Sequence, residues 1–287
     1  MQIIETKEEL RRQVEACKRQ GKMIGLVPTM GALHQGHASL VRRAVSENDV
    51  CFVSVFVNPT QFNNKEDLAK YPRNLQRDAE LLDSLGAHFM FAPTPEEMYS
   101  AEEMNTTFAY DFEGLDKVME GKMRPGHFNG VVQVVSRLFY LVQPNRAYFG
   151  EKDYQQLAII HQMAERSALK DTFGDLKIIG CPIVRQADGL ALSSRNERLS
   201  DKEKKIATNI YRILSESVKS VKSAKSASVE AVQQEVIDAI NAIEGLEVEY
   251  YEIVDQSTLL PAKDFSHAIG CVTVYCGPVR LIDNIKY

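Results

Sequence analysis

Between residues 23 and 180 one arrangement recurs: a short run of consecutive apolar residues, a turn, then a stretch in which apolar side chains return every three or four positions. The runs at Met23–Val27, Val50–Val57, Ala87–Ala92, Ala147–Phe149 and 177–180 read as strands. The stretches at Ala38–Val45, Leu75–Leu85, Gly130–Val142 and Tyr154–Arg166 read as helices. Strands with no polar face are covered on both sides, and strands separated by helices pair in parallel. The pattern predicts an α/β fold with a Rossmann-like parallel sheet whose ligands bind at the C-terminal ends of its strands. Thr6 and Glu9 have the spacing of a capping box, opening an earlier helix that ends near Gly21.

The pattern changes after Ser200. Ser200 and Glu203 repeat the capping-box spacing and open a helix carrying Ile206, Ile210 and Ile213. Ser215–Ser228 is rich in Ser, Lys and Ala and reads as a surface connector to a helix at residues 229–243. Glu247–Val254, Cys271–Cys276 and Val279–Ile285 read as a small antiparallel sheet, with Gly277-Pro278 as the last turn. Two domains are expected: residues 1–182, Rossmann-like, and residues 183–287, a smaller C-terminal α+β lid. The boundary lies near 181–200, so the Ser193–Asn196 loop is expected at a hinge.

Composition removes several function classes. A chain of 287 residues with 44% hydrophobic and 25% charged residues is an ordinary globule with room for a core. A net charge of −5 argues against a nucleic-acid or anionic-membrane partner, since both select a basic surface. Glu5, Lys7, Glu8, Glu9, Arg11 and Arg12 leave no apolar core for a signal peptide, and no run reaches the length of a bilayer span. A cytoplasmic location is therefore expected. Cys17, Cys51, Cys181, Cys271 and Cys276 contain no C-x-x-C pair and read as reduced core residues.

The first candidate site follows the run Met23–Val27. Pro28–His37 holds Met30, Gly31, Ala32, Leu33, His34, Gln35, Gly36 and His37, and a helix begins within it. Amides at a helix start and the positive end of its dipole attract anions, glycines admit close backbone approach, and two imidazoles three apart share a face. Together these suit phosphate. Gly31 and Gly36 have Walker A spacing, but His37-Ala38 replaces Lys-Ser/Thr, and no G-x-G-x-x-G opens a helix. Two further segments carry matching donors. Gly150, Glu151, Lys152 and Asp153 follow the run Ala147–Phe149, and Ser193, Ser194 and Arg195 lie in a polar loop after Leu192. The three segments read as parts of one site.

H-x-G-H, G-E-K-D-Y-Q-Q and S-S-R-N in this order, with Phe56–Phe62 (F-V-N-P-T-Q-F) between the first two, closely resemble the bacterial pantothenate synthetase family from Met23 to about Ser200. The resemblance implies ATP-dependent condensation of (R)-pantoate with β-alanine through a bound pantoyl adenylate, releasing pyrophosphate and AMP, in a homodimer. It makes His34, His37, Lys152 and Arg195 the catalytic group, with His37 as proton donor. It places Gln61, Gln156 and Asn58 on pantoate, Asp153 near the ribose, and Val184 and Leu192 beside adenine. Leu192 stands where this family commonly has methionine. Mg²⁺ enters with ATP, held chiefly by phosphate oxygens and water. Asp78 is the weak protein candidate for it, against a solvated helix acid.

Other readings of the same residues stay open at this stage. Asp153 and Gln156 also fit a helix N-cap and its third residue. Arg124, Pro125, Gly126 and His127 form a basic turn that suits either a substrate cavity or plain surface. A different H-x-G-H nucleotidyltransferase, releasing a dinucleotide, and a catalytically silent nucleotide-binding module are the two rival functions.

Overall fold

Six strands, β1 (Gln2–Ile4), β2 (Ile24–Thr29), β3 (Val50–Val55), β4 (Phe89–Phe91), β5 (Arg146–Gly150) and β6 (Lys177–Cys181), form one sheet in the order β1-β4-β3-β2-β5-β6. Every pairing in it is parallel. From β2 the chain moves outward to β3 and β4, then returns to the other side of β2 with β5, so the order reverses at β2. A crevice at such a reversal is where an open α/β sheet binds ligands. These are coordinates of a computed structural model that describes residues 1–166, 172, 174–223 and 228–287.

The unbroken apolar runs are explained by the two faces of the sheet. Ile24, Leu26, Val50 and Phe52 enter one core cluster, while Val27, Cys51, Val53 and Met90 enter another. Successive strand residues alternate faces, so a strand covered on both sides needs apolar residues throughout. The periodic helices form at Lys7–Arg19, Gln35–Glu47, Leu75–Ser84, His127–Val142 and Tyr154–Glu165. At the first, Thr6 Oγ1 accepts from Glu9 N, but the Glu9 carboxylate accepts from Gln2 Nε2, so only half of the anticipated capping box forms. β1 was not anticipated; three residues on a sheet edge are too few to show a period. The short helices Lys65–Lys70, Pro95–Met98, Ala101–Asn105 and Met119–Met123 escape the sequence pattern for the same reason.

By its contacts the described chain divides into two units, Met1–Glu151 with Gln156–Pro182 and Lys152–Gln155 with Ile183–Tyr287. The first contains the parallel sheet. The second contains β7 (Leu246–Asp255), β8 (Ala268–Cys276) and β9 (Val279–Lys286), an antiparallel sheet in that order. Helices Asp201–Ser223 and Val229–Asn241 pack into its core, with Ile210, Leu214, Val232, Val236 and Ile240 buried. The full Ser200–Glu203 capping box forms, each side chain bonding the other residue's amide.

The connector expected at Ser215–Ser228 is corrected. The helix runs on to Ser223 because Leu214, Val218 and Val221 continue its apolar stripe, while Ser217 and Ser223 hydroxyls bond back to the preceding turn. Residues 224–227 of that stretch lie outside the described residues. All five cysteines are free and buried.

Helix His127–Val142 begins three residues before its apolar period, after Gly126 in the left-handed region. A Cβ on Gly130 would lie 2.4 Å from the Thr60 carbonyl oxygen and 2.6 Å from Gln61 Cα. Backbone thus packs on backbone where this helix meets the 3₁₀ turn Pro59–Gln61. Gly130→Ala is expected to destabilise the protein by about 1–3 kcal/mol, as overpacking does. Urea denaturation checks this, and an unchanged midpoint would show that the turn yields freely.

Candidate active site

The turn leaving β2 is held from within. Gly31 and Ala32 have φ of 81° and 50°. A Cβ on Gly31 would meet Asp78 Oδ2 and Val55 Cγ1 at 3.0 Å, so glycine is required by both conformation and space. Gly31 N donates to Thr29 Oγ1 at 3.2 Å, Ala32 N to Asp78 Oδ2 at 2.9 Å and Leu33 N to Asp78 Oδ1 at 2.7 Å. The anion these amides were expected to meet is therefore, for Ala32 and Leu33, the chain's own Asp78. Leu33 points its side chain into the core, and exposed Gln35 accepts from Arg42.

The helix after this turn is capped by its histidines. His34 Nδ1 accepts from Gly36 N at 3.1 Å and from the His37 backbone, while His37 Nδ1 accepts from His34 N at 3.3 Å. A backbone N–H only donates, so each neutral ring must accept on Nδ1 and carry its proton on Nε2. The two rings lie 4.1 Å apart between centroids. The cap thus fixes both imidazoles as Nε2–H donors.

Asn58 is a buried hub. Its Nδ2 donates to Gln61 Oε1 at 3.1 Å and to the Gly130 carbonyl at 3.0 Å, and its Oδ1 accepts from Tyr99 OH and Thr60 Oγ1. Burial pushes the Tyr99 hydroxyl up to about 12, which keeps it protonated as a donor. Gln61, with its carbonyl taken, directs Nε2 to Met30 Sδ at 3.0 Å. The structure therefore brings Gln61 to the loop after β2. It places Asn58 behind Gln61, 1% exposed, as the residue that orients it.

The basic turn is not simple surface, since two of its residues are bonded into the protein. His127 is buried, and Arg124 Nη1 lies 3.2 Å from its Nε2 while its Nδ1 lies 2.8 Å from the Gln61 carbonyl oxygen. Guanidinium only donates, so Nε2 accepts and Nδ1–H donates to Gln61. Glu120 pairs with Arg124 behind it. Gln61 is held at its side chain by Asn58 and at its backbone by His127.

In the second unit, Val184 and Leu192 come together across a hairpin, Leu192 N donating to the Val184 carbonyl at 3.0 Å. Arg185 and Ala191 bridge one step inward. Ser193 Oγ then accepts from Arg195 N, opening the 3₁₀ turn Ser194–Arg198, and Asn196 Nδ2 donates to the Ala191 carbonyl at 2.9 Å. The last residue of S-S-R-N thus closes the loop. Arg185 grips Asp283 with both guanidinium nitrogens, at 2.6 and 2.8 Å, and lies 3.7 Å from the Tyr211 ring centre. The one mark of this pair in the sequence is Asp283-Asn284 inside the apolar run of the last strand.

Lys152 and Asp153 lie in a 3₁₀ turn over Glu151–Asp153 that runs straight into helix Tyr154–Glu165. Asp153 is thus in a turn and not at an extended cap, and Gln156 is partly buried beside fully buried Gln155. Among the described residues no group of three or more His, Cys, Asp or Glu is arranged to hold a metal. Asp78, the sequence candidate for Mg²⁺, is 2% exposed, so it is not a solvated acid, and both of its oxygens accept from loop amides.

A Rossmann-like sheet with paired imidazoles at the reversal of strand order defines the class. A profile of the family described as pantoate-beta-alanine ligase matches residues 2–286. A pantothenate synthetase of Phocaeicola vulgatus is 57% identical over 290 residues, covering 100% of this chain and 99% of that protein. The crystal structure of pantothenate synthetase from Thermus thermophilus is similar with a TM-score of 0.88 at 43% identity, covering 100% of this chain and 99% of that one. A pantoate-beta-alanine ligase from Francisella tularensis, complexed with beta-gamma ATP and beta-alanine, is similar with a TM-score of 0.82 at 38% identity over 100% and 97% of the two chains. The chain belongs to the pantoate–β-alanine ligase family, a family of ligases.

Asp78→Ala is expected to take the Asp78 acceptor from the buried Leu33 amide and the partly buried Ala32 amide and to cost about 1–3 kcal/mol for the buried group. Urea denaturation without nucleotide measures it. Unchanged stability together with a raised Mg²⁺ requirement would return Asp78 to the metal.

Proposed function

We propose that this chain joins (R)-pantoate to β-alanine at the expense of ATP through a bound pantoyl adenylate, forming pantothenate, AMP and pyrophosphate. The observation that carries this reading is the mutual capping of His34 and His37, which puts the proton of each ring on Nε2 at one helix start, while Gln61 bonds Met30 on the loop before it. Family membership over nearly the whole chain, and a relative complexed with a nucleotide and β-alanine, support it.

In the first step a pantoate carboxylate oxygen attacks the α-phosphorus of ATP and the bond to pyrophosphate breaks. Charge grows on the phosphoryl oxygens and the leaving group, so preorganised donors give the largest benefit. His34 and His37 are assigned to these oxygens as hydrogen-bond donors, with His37 offering its Nε2–H to the leaving pyrophosphate without giving up the proton. Lys152, Ser193, Ser194 and Arg195 are assigned to the same developing charge. Met30, Gly31, Ala32, Leu33, Gln35 and Gly36 shape the phosphate loop, joined by Gly150, Glu151 and Asp153, with Asp153 on the ribose. Val184 and Leu192 flank adenine. Gln61 and Gln156 orient pantoate, and Asn58 acts through Gln61. Mg²⁺ arrives with ATP as part of the substrate.

In the second step the β-alanine amine attacks the acyl carbon, the acyl–oxygen bond breaks, AMP leaves and the nitrogen loses a proton. The sequence around the site serines and the cysteines carries no motif of nucleophile, base and orienting acid, so no acyl-enzyme is invoked. Among the described residues no helix is long and apolar enough to cross a membrane. A cytoplasmic location rests on the charged N-terminal residues, and a homodimer on the family resemblance, which light scattering checks.

Omitting ATP, Mg²⁺, pantoate or β-alanine in turn tests the reading: AMP should form only with the complete set, while ATP–pyrophosphate exchange should need pantoate but no β-alanine. Pyrophosphate release without pantoate would sink it. Alanine at His37, Lys152 or Arg195 is expected to slow adenylation roughly 100- to 1000-fold, the usual cost of one lost charge-stabilising donor. ¹⁸O from the pantoate carboxylate is expected in AMP by mass spectrometry; a pantoyl adduct on the denatured protein would replace the adenylate route.

A further inference from the structure

Asp283 and Asn284 are adjacent on β9 and nearly fully buried, at 7% and 5% exposure, in a strand whose other inward residues are apolar. Each is engaged with a segment far away in sequence. Asp283 forms the two-pronged pair with Arg185, which also donates to the carbonyls of Gly189 and Asn284 at 3.2 Å. Asn284 Nδ2 donates to the Lys152 carbonyl at 3.0 Å. The Lys152–Gln155 segment belongs to this unit although the residues on both sides of it in sequence do not, and Tyr154 OH adds a second tie, to the Gln256 carbonyl at 3.1 Å.

A lysine ammonium rides on four flexible methylenes, so its reach is set by where its backbone is anchored. Catalytic groups need that anchor, because a displacement of about 1 Å from productive geometry costs on the order of a hundredfold in rate. A buried amide that donates to the lysine's own carbonyl is such an anchor. We propose that Asn284 is a positioning residue for Lys152 in the adenylation step, with the Arg185–Asp283 pair fixing the strand from which it reaches. This inference rests on the reading of Lys152 given above.

The test is ATP–pyrophosphate exchange in the full-length protein with Asn284→Asp, Asn284→Ala, Lys152→Ala and the Lys152→Ala/Asn284→Asp double variant. Asn284→Asp keeps size and shape and removes the donor. It is expected to slow exchange by at least about tenfold, mainly in kcat, measured well below the Tm of each variant because the buried carboxylate also lowers Tm. In the Lys152→Ala background it should have no further effect, because a residue acting through Lys152 has nothing left to position. Exchange at the parental rate in Asn284→Asp, or an equal slowing with and without Lys152, overturns the proposal. Loss of the folded state in both Asn284 variants also overturns it, since the residue is then a folding element. Near-parental exchange in Lys152→Ala instead defeats the reading of Lys152, a result separable from failure at Asn284 alone.

Discussion

One buried carboxylate organises the end of β2. Asp78 accepts from the amides of Ala32 and Leu33, which stabilises a turn that places a non-glycine residue, Ala32, in the left-handed region. Without those two bonds the turn would carry both backbone strain and unsatisfied donors. With them, His34 arrives extended at the start of the next helix, where its ring serves as the cap. The chemistry assigned to the paired imidazoles therefore depends on an acid on another helix that is spent on holding the loop.

The second organising interaction is polar and equally buried. Asn58 uses both donors and both acceptor positions within the protein, and Gly130 lets a helix backbone come close enough for its carbonyl to be one partner. A half-satisfied amide at this depth would be costly, whereas a fully satisfied one specifies a single arrangement. Gln61 inherits that precision at its side chain, and His127 adds it at the backbone. The second unit uses the same principle with charge, where a guanidinium and a carboxylate are paired in both prongs and backed by an aromatic ring. Removing either partner would strand a buried charge, at about 3–5 kcal/mol.

The α/β class, the parallel strands from β2 to β6, the major helices and the final antiparallel hairpin were legible in the sequence, because each rests on a local period or a turn dipeptide. The family was legible for a different reason: four short motifs in a fixed order are improbable by chance. Three-residue β1 and the short helices were not legible, since they are too brief to show a period and exist by packing on neighbours. The stretch to Ser223 was misread because Ser and Lys composition outweighed a sparse but regular stripe of Leu214, Val218 and Val221.

By itself the sequence determined which residue types stand at the strand ends, and the tertiary structure decided which groups each of them bonds there. His34 and His37 were identifiable by spacing, but which ring nitrogens carry the protons follows from backbone amides brought to them by the helix cap. Asp78 read as a weak metal candidate because nothing local reveals that a residue 46 positions earlier supplies one of its donors. The partners that bury Asn58 in a network, Tyr99 and Gly130, were not legible because they are 41 and 72 residues away. Asn284 was invisible for the same reason, its partner being 132 residues distant. Local periodicity reports only which faces are apolar, whereas a buried hydrogen bond is set by whichever group the fold places opposite.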